Sequence, residues 1–143
     1  MVEELDNTHL PDILKLLNDN QLPVSDIDLS HQKFWGIFNE DGLLGVGALE
    51  IMGTSALLRS LAVTKEYQNN GFGNQVVNTL LGASRNVGIQ QLFLLTETAA
   101  SFFEKNNFVQ VSRSQVPTEI ANTEEFKSIC PSSAICMTYN LES

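Results

Sequence analysis

The chain has 143 residues, of which 43% are apolar and 17% charged, which suits one folded domain over 1–143 and argues against disorder. Its formal net charge of -9 opposes wrapping a nucleic-acid backbone, although backbone amides can still hold a phosphate-bearing small ligand in an acidic protein. Residues 1–4 lack a cationic-then-apolar leader pattern, the uncharged run 67–84 is too polar to span a membrane, and Cys130 and Cys136 are too few and wrongly spaced for a disulfide framework or a zinc site, so a cytoplasmic protein without a metal is expected.

Residues 2–5 read as a short strand. Thr8 then stands as an N-cap, and Leu10, Ile13, Leu14, Leu16 and Leu17 form a helical stripe up to about Asn20. Residues 21–32 are polar and contain Pro23, as in a loop with at most one short helix. Runs 34–38 and 43–51 read as strands around the turn Asn39-Glu40-Asp41-Gly42, whose Asp-Gly pair favours a hairpin. A second turn at Gly53-Thr54 leads into a third strand, 56–63.

Residues 71–87 have helical spacing, with Phe72, Val76, Val77, Leu80, Leu81 and Ser84 on one face. The apolar run 91–95 fits a strand covered on both sides. Residues 99–105 suit a short helix ended by Asn106-Asn107, 117–129 hold helical turns, and 108–111 and 134–141 are closing strands. The order predicts an α+β fold with a mixed sheet. The helix at 71–87 must carry the chain to a strand parallel to the third one.

The densest chemical signal lies where the third strand ends and this helix begins, at Gln68-Asn69-Asn70-Gly71-Phe72-Gly73. A helix start leaves about four backbone N–H groups unpaired and carries roughly half a positive charge. Glycines there let a pyrophosphate reach the main chain. A Walker-type loop is excluded because Asn74, not Lys, follows Gly73. A dinucleotide fingerprint fails at Val76, and Glu97 is an ambiguous match for its acidic residue. Taken alone, the two glycines could simply serve the turn.

In context, Leu61-Ala62-Val63, a short spacer and Gln68-x-x-Gly71-x-Gly73 resemble motif A of the GNAT acetyltransferases. Thr98 to Phe108, with Phe102-Phe103-Glu104-Lys105-Asn106-Asn107-Phe108, is similar to that family's short helix and Phe-Tyr-x-x-x-Gly-Phe ending. The resemblance covers about 43–111. It implies an acyl-CoA N-acyltransferase fold with helices on both faces of a central mixed sheet. It also implies acetyl-CoA as cosubstrate, bound by backbone groups of Leu61, Ala62 and Val63, by the loop Gln68, Asn69, Asn70, Gly71, Phe72 and Gly73, and by Phe103.

Two positions depart from the pattern. Asn107 replaces the usual Gly, and Asn is the next best residue for a left-handed helix end. Phe103 replaces a Tyr whose phenol protonates the departing thiolate, so that role falls to water or stays unfilled. Residues 92–98 with Phe102-Phe103 and Val116-Pro117 are similar to the acetyltransferase domain of bacterial N-acetylglutamate synthases. Leu58 to Val63, Val116-Pro117-x-x-Ile120, Glu125-Phe126 and Cys130-Pro131-x-Ser133-Ala134-x-Cys136-Met137 resemble the GNAT branch of arsenic-resistance operons.

The resemblance implies acetyl transfer to the amine of a small molecule, possible acceptors including an amino acid or its arsenic or phosphorus analogue. The alternatives are a CoA-binding regulatory module with little turnover and a protein N-acetyltransferase; a homodimer is compatible with each. The amine must lose its proton, and Glu50, Glu97 and His31 are the candidate bases, each competing with a plain surface role. Arg59 lies in the apolar run 56–63, where an unpaired guanidinium is very costly. It must find a carboxylate, such as Glu50 on the neighbouring strand, or grip an acidic group of the acceptor. Cys130 and Cys136 read as packed thiols ahead of an arsenic-binding pair, and Phe34 and Trp35 as hairpin core, with a wall of the acceptor pocket as the alternative.

Overall fold

The computed structural model describes residues 2–129 and 133–141. The strands are β1 (Val2–Glu4), β2 (Lys33–Asn39), β3 (Gly42–Met52), β4 (Ser55–Val63), β5 (Gln91–Thr96), β6 (Val109–Gln110) and β7 (Ile135–Asn140). The helices are α1 (Leu10–Asp19), α2 (Phe72–Asn86), α3 (Ala100–Lys105) and α4 (Thr118–Ala121), with a π-helical turn at Glu125–Ile129. They build the expected α+β architecture, a seven-stranded mixed sheet with strand order β1-β2-β3-β4-β5-β7-β6. The pairs β1–β2 and β2–β3 are antiparallel, β4 and β5 are parallel, and β7 runs antiparallel to β5 and β6. The parallel pair requires a crossover, and α2 supplies it. By contacts the chain divides into two compact units, Met1–Glu50 with Leu58–Ala83 and Ile51–Leu57 with Ser84–Ser143.

In the first unit the chain enters α1 differently from the sequence expectation. Thr8 does not cap it. Asp6 accepts the Thr8 backbone N–H at 3.0 Å, and its own N–H donates to His9 Nδ1 at 3.0 Å, closing a 3-10 turn over Asn7–His9. Helix α1 follows with Pro11 in its first turn, where a missing N–H costs little. Its buried face, Ile13, Leu16 and Leu17, joins Leu5, Phe34, Val46, Ala48 and Ala62 in one core.

Residues 21–32 form no regular helix, yet Leu22, Val24, Ile27 and Leu29 pack against that core, so the loop is anchored by apolar contacts. A Cβ on Gly47 would lie 2.8 Å from Val76 Cγ1 and 3.0 Å from Leu80 Cδ1. The backbone of β3 therefore meets α2 at a glycine because no side chain fits between them.

In the second unit, β5 presents Leu92, Phe93 and Leu94 as buried residues, matching its apolar run. It pairs with Ser55–Leu57 of β4 on one side and with all of β7 on the other. Leu57, Phe93, Val116, Ile120, Phe126 and Cys136 form the core. Complete burial of a side chain such as Ile120 contributes about 1.5–3 kcal/mol.

Helix α3 ends as its asparagine suggests. Asn107 adopts φ +73, and Phe108 N–H donates to the Phe103 carbonyl at 3.0 Å. Strand β6 is shorter than the expected 108–111, since the chain turns into the 3-10 segment Arg113–Gln115. The motif residues Cys130 and Pro131 lie outside the described residues.

Candidate active site

Strand β4 changes character at Ser60. Residues 55–60 are buried without interruption, then Leu61 and Val63 become half-buried around the buried Ala62. Ser60 adopts φ +58, a left-handed conformation that costs a non-glycine residue about 1–3 kcal/mol. This residue interrupts the extended backbone conformation just before the three residues whose backbone was expected to serve the cofactor. The strand end is then fixed to β3 by Thr64 N–H donating to the Leu44 carbonyl at 2.7 Å.

The following loop is held on several sides. Gln68 Nε2 donates to the Val63 carbonyl at 3.0 Å and to Asn20 Oδ1 at 3.2 Å, tying the loop to β4 and to the residue after α1. Asn39 Nδ2 donates to the Tyr67 hydroxyl at 3.3 Å, and the Tyr67 ring meets Phe72 edge-on with centroids 6.1 Å apart. Between these anchors Asn69 (φ +69) and Gly71 (φ +84) are both left-handed.

Residues 68–71 are solvent-exposed, and a Cβ at Gly71 would touch nothing within 4 Å. Glycine is needed there for its φ, and the space beside it is open. The first α-helical bond runs from Gln75 N–H to the Gly71 carbonyl at 3.1 Å. The preceding amides of the turn thus have no helical carbonyl to meet, as at any helix start.

A buried charge cluster lies in the same unit. The Arg59 side chain is 0% exposed, and its Nη1 and Nη2 donate to Asp26 Oδ2 at 2.5 Å and Oδ1 at 2.6 Å. Nη1 also reaches Glu50 Oε1 at 3.3 Å, and Nε reaches Ser60 Oγ at 3.3 Å. The expected Arg59–Glu50 contact therefore forms. Asp26 was not anticipated, although acidic residues flanked by Val24, Ile27 and Leu29 in a supposed loop hint at a packed segment. Gln32 completes the cluster: its Nε2 donates to the Asp26 carbonyl at 3.1 Å and to Glu50 Oε1 at 3.4 Å.

The other candidates lie elsewhere. His31 is exposed and stands 3.8 Å from Asp28, whose carboxyl is held below its ordinary range by hydrogen bonds from Ser30 and by His31. In the second unit, Glu97 is exposed between β5 and α3. Phe103 is 5% exposed, stacked edge-on with Phe102 and Phe108 at centroid distances of 5.2 and 5.5 Å. Among the described residues, no three His, Cys, Asp or Glu side chains are grouped to hold a metal ion, and no helix is long and apolar enough to cross a membrane.

The family model for the acetyltransferase (GNAT) domain matches residues 30–110, more than half of the chain. The chain belongs to the GNAT acetyltransferase family. An amino-acid acetyltransferase of Mycobacterium tuberculosis is 30% identical over 94 residues, covering 62% of this chain and 53% of the relative. The chain thus spans about half the length of that protein.

Among solved structures, the N-acetylglutamate synthase of Neisseria gonorrhoeae complexed with coenzyme A and L-arginine superposes with a TM-score of 0.81 at 17% identity. It covers 100% of this chain and 33% of that one. A Mycobacterium tuberculosis protein crystallised with CoA gives 0.80 at 20% identity, covering 98% of both chains. At these identities the superpositions establish the GNAT fold. The region matched by the family model contains Glu50, Arg59, the Gln68–Gly73 loop, Glu97 and Phe103, whereas Asp26 lies upstream of it.

Proposed function

We propose that this GNAT domain transfers an acetyl group from acetyl-CoA to the amine of a small molecule. The observation that carries the reading is the open, firmly anchored loop at the start of α2, with its left-handed Asn69 and Gly71. Backbone amides of Gly71, Phe72 and Gly73 would hold the pyrophosphate, because a helix start offers N–H groups and positive potential to an anion. Backbone groups of Leu61, Ala62 and Val63, beyond the left-handed Ser60, would pair with the pantetheine arm. An amide there would stabilise the oxyanion.

In the reaction the neutral amine nitrogen attacks the thioester carbonyl, a C–N bond forms, the C–S bond breaks to release thiolate, and the proton shed by the acylated nitrogen passes through water to that thiolate. An alkylamine of pKa 10.4 costs about 4.6 kcal/mol to deprotonate at pH 7, so a base is required. Glu50 is the favoured candidate, because it keeps 12% of its side chain exposed and its Oε2 accepts no hydrogen bond among the described residues. Glu97 and His31 are exposed alternatives. The thiolate leaves without a phenol at Phe103, which is chemically feasible because thiols ionise near pH 8.5.

Likeness to the amino-acid acetyltransferase of Mycobacterium tuberculosis supports an amino acid as acceptor. An arsenic- or phosphorus-bearing analogue rests on motif resemblance alone. A second reading, a CoA-binding module with little turnover, is favoured by the buried aromatic packing of Phe103 in place of the phenol. The deciding experiment incubates the protein with acetyl-CoA and a panel of amines while free thiol is monitored and Tm is recorded. Amine-dependent thiol release supports the enzyme. A Tm shift without release favours the binding module, and neither response overturns both.

A further inference from the structure

Arg59 has little left to offer an acceptor's acidic group. A guanidinium recognises a carboxylate best through two parallel N–H bonds, and here Nη1 and Nη2 make that pair with Asp26. Asp26 is also built into its position. Gln32 Nε2 holds its backbone carbonyl, the Asp28 N–H donates to Gln32 Oε1 at 3.2 Å, and Gln32 is itself only 4% exposed. Neighbouring Val24 and Ile27 pack into the unit's core. Withdrawing Asp26 would leave a buried guanidinium short of its main counter-ion, which is strongly destabilising.

Arg59 is ion-paired with two carboxylates, Asp26 and Glu50. Both Asp26 oxygens are bonded to the guanidinium. Glu50 differs, because Oε1 takes the two long bonds from Arg59 and Gln32 while Oε2 accepts none among the described residues. No buried side-chain oxygen among the described residues lacks a partner, and the Glu50 side chain is 12% exposed, so Oε2 is not sealed from solvent.

We infer that Asp26 sets the charge class of the acceptor: it saturates Arg59, and the cluster's solvent-facing charge becomes Glu50 Oε2, which receives the acceptor's ammonium. This rests on the acetyl-transfer reading above and narrows it. Arg59 gives no grip to an acidic group on the acceptor. Gln32 is a positioning residue that steadies Glu50 through Oε1 and leaves Oε2 outward.

The test compares matched acceptors that differ only in a carboxylate, L-glutamate with L-glutamine and L-leucine with L-leucinamide. Asp26→Asn keeps the shape but removes the charge. It should raise the carboxylate-to-amide ratio of kcat/KM by about tenfold or more over wild type, with KM for acetyl-CoA unchanged. A ratio that stays the same or falls overturns the inference. Gln32→Leu should raise KM for L-leucinamide more than it lowers kcat; a purely structural role would leave KM unmoved.

Calorimetry with glutarate, which has no amine to acetylate, decides the point without turnover. Binding should be detectable in Asp26→Asn and at least tenfold weaker in wild type, by about the worth of one charged hydrogen bond. Equal or tighter binding to wild type overturns the inference. If Asp26→Asn fails to fold, Glu50→Gln, which keeps the Oε1 acceptor but removes the base, should still weaken L-leucinamide binding in calorimetry about tenfold while the acetyl-CoA Tm shift persists. Unchanged L-leucinamide binding there overturns the inference. Should acetyl-CoA neither shift Tm nor release thiol, the acetyl-transfer reading falls, and the glutarate comparison still decides the role of Asp26.

Discussion

The side-chain amide nitrogen of Gln68 donates to the carbonyl of Val63 at 3.0 Å, so the first residue of the glycine loop is tied back to the last residue of β4. The same nitrogen reaches Asn20 at 3.2 Å. Its donor capacity is therefore turned toward the protein, and the loop's anion-binding capacity rests on the backbone. Replacing Gln68 by Ala should cost only about 0.5–1.5 kcal/mol of stability, the worth of an exposed hydrogen bond. It should nevertheless weaken acetyl-CoA binding by loosening the loop. Chemical denaturation and acetyl-CoA titration of the variant check both effects, and unchanged affinity would remove Gln68 from the binding machinery.

Gly71 offers a sharper test. Its φ of +84 is unfavourable for any residue with a Cβ, while the space beside it is open. Gly71→Leu should therefore fold with a loss of about 1–3 kcal/mol. The bulky side chain would occupy the approach to the amides. A ligand at about 100 times its Kd stabilises the folded state by about 2.7 kcal/mol, enough for a clear rise in Tm. That rise should appear in wild type and vanish in Gly71→Leu. An equal rise in both would place the cofactor elsewhere.

Much of this arrangement was legible because it is written locally. The hairpin turn at Asp41-Gly42, the helical spacing from Phe72 to Leu81 and the apolar run of β5 each specify one element. The glycine loop was readable because a strand end, a turn and a helix start follow one another directly. What escaped was non-local or conformational. Asp26 meets Arg59 across 33 positions, and no periodicity encodes that pairing. The left-handed Ser60 was hidden because serine carries no preference for that conformation, whereas Asn107 announced its own. Asp6 displaced Thr8 as the cap because its carboxylate accepts the Thr8 N–H while His9 answers from the other side.

Phe103 separates packing from acid catalysis. Its ring lies in an aromatic series with Phe102 and Phe108, and Phe108 continues to Tyr139 at 5.2 Å. Phe103→Ala should cost about 3–5 kcal/mol, as for other buried aromatic residues. The basic limb of the pH–rate profile should be unaltered, because no titrating group is removed. Loss of that limb in the variant would contradict this account. Phe103→Tyr restores a phenol, and a rise in kcat with little change in Tm would mark the protein as an enzyme lacking an acid.

Cys136 gives a prediction with a definite sign. The thiol is 3% exposed within the second unit's core, and burial pushes its pKa up from 9.0 against the smaller opposing pull of Arg113. Well below pH 9.0 the thiol is protonated whether the chain is folded or unfolded, so it contributes no slope there. Above pH 9.0 the unfolded chain loses the proton while the folded protein retains it. The folded state then binds more protons, and its stability falls as pH rises, by at most about 1.4 kcal/mol per pH unit until the folded thiol also ionises. Other groups titrate in this range, so the measurement is a difference: urea unfolding of wild type and Cys136→Ala from pH 7 to 10.5. The stability gap between them should be constant up to about pH 8.5 and then shift against wild type, and iodoacetamide should label native Cys136 far more slowly than the unfolded chain. A gap that stays constant to pH 10.5 would mean that the thiol ionises equally well inside the core.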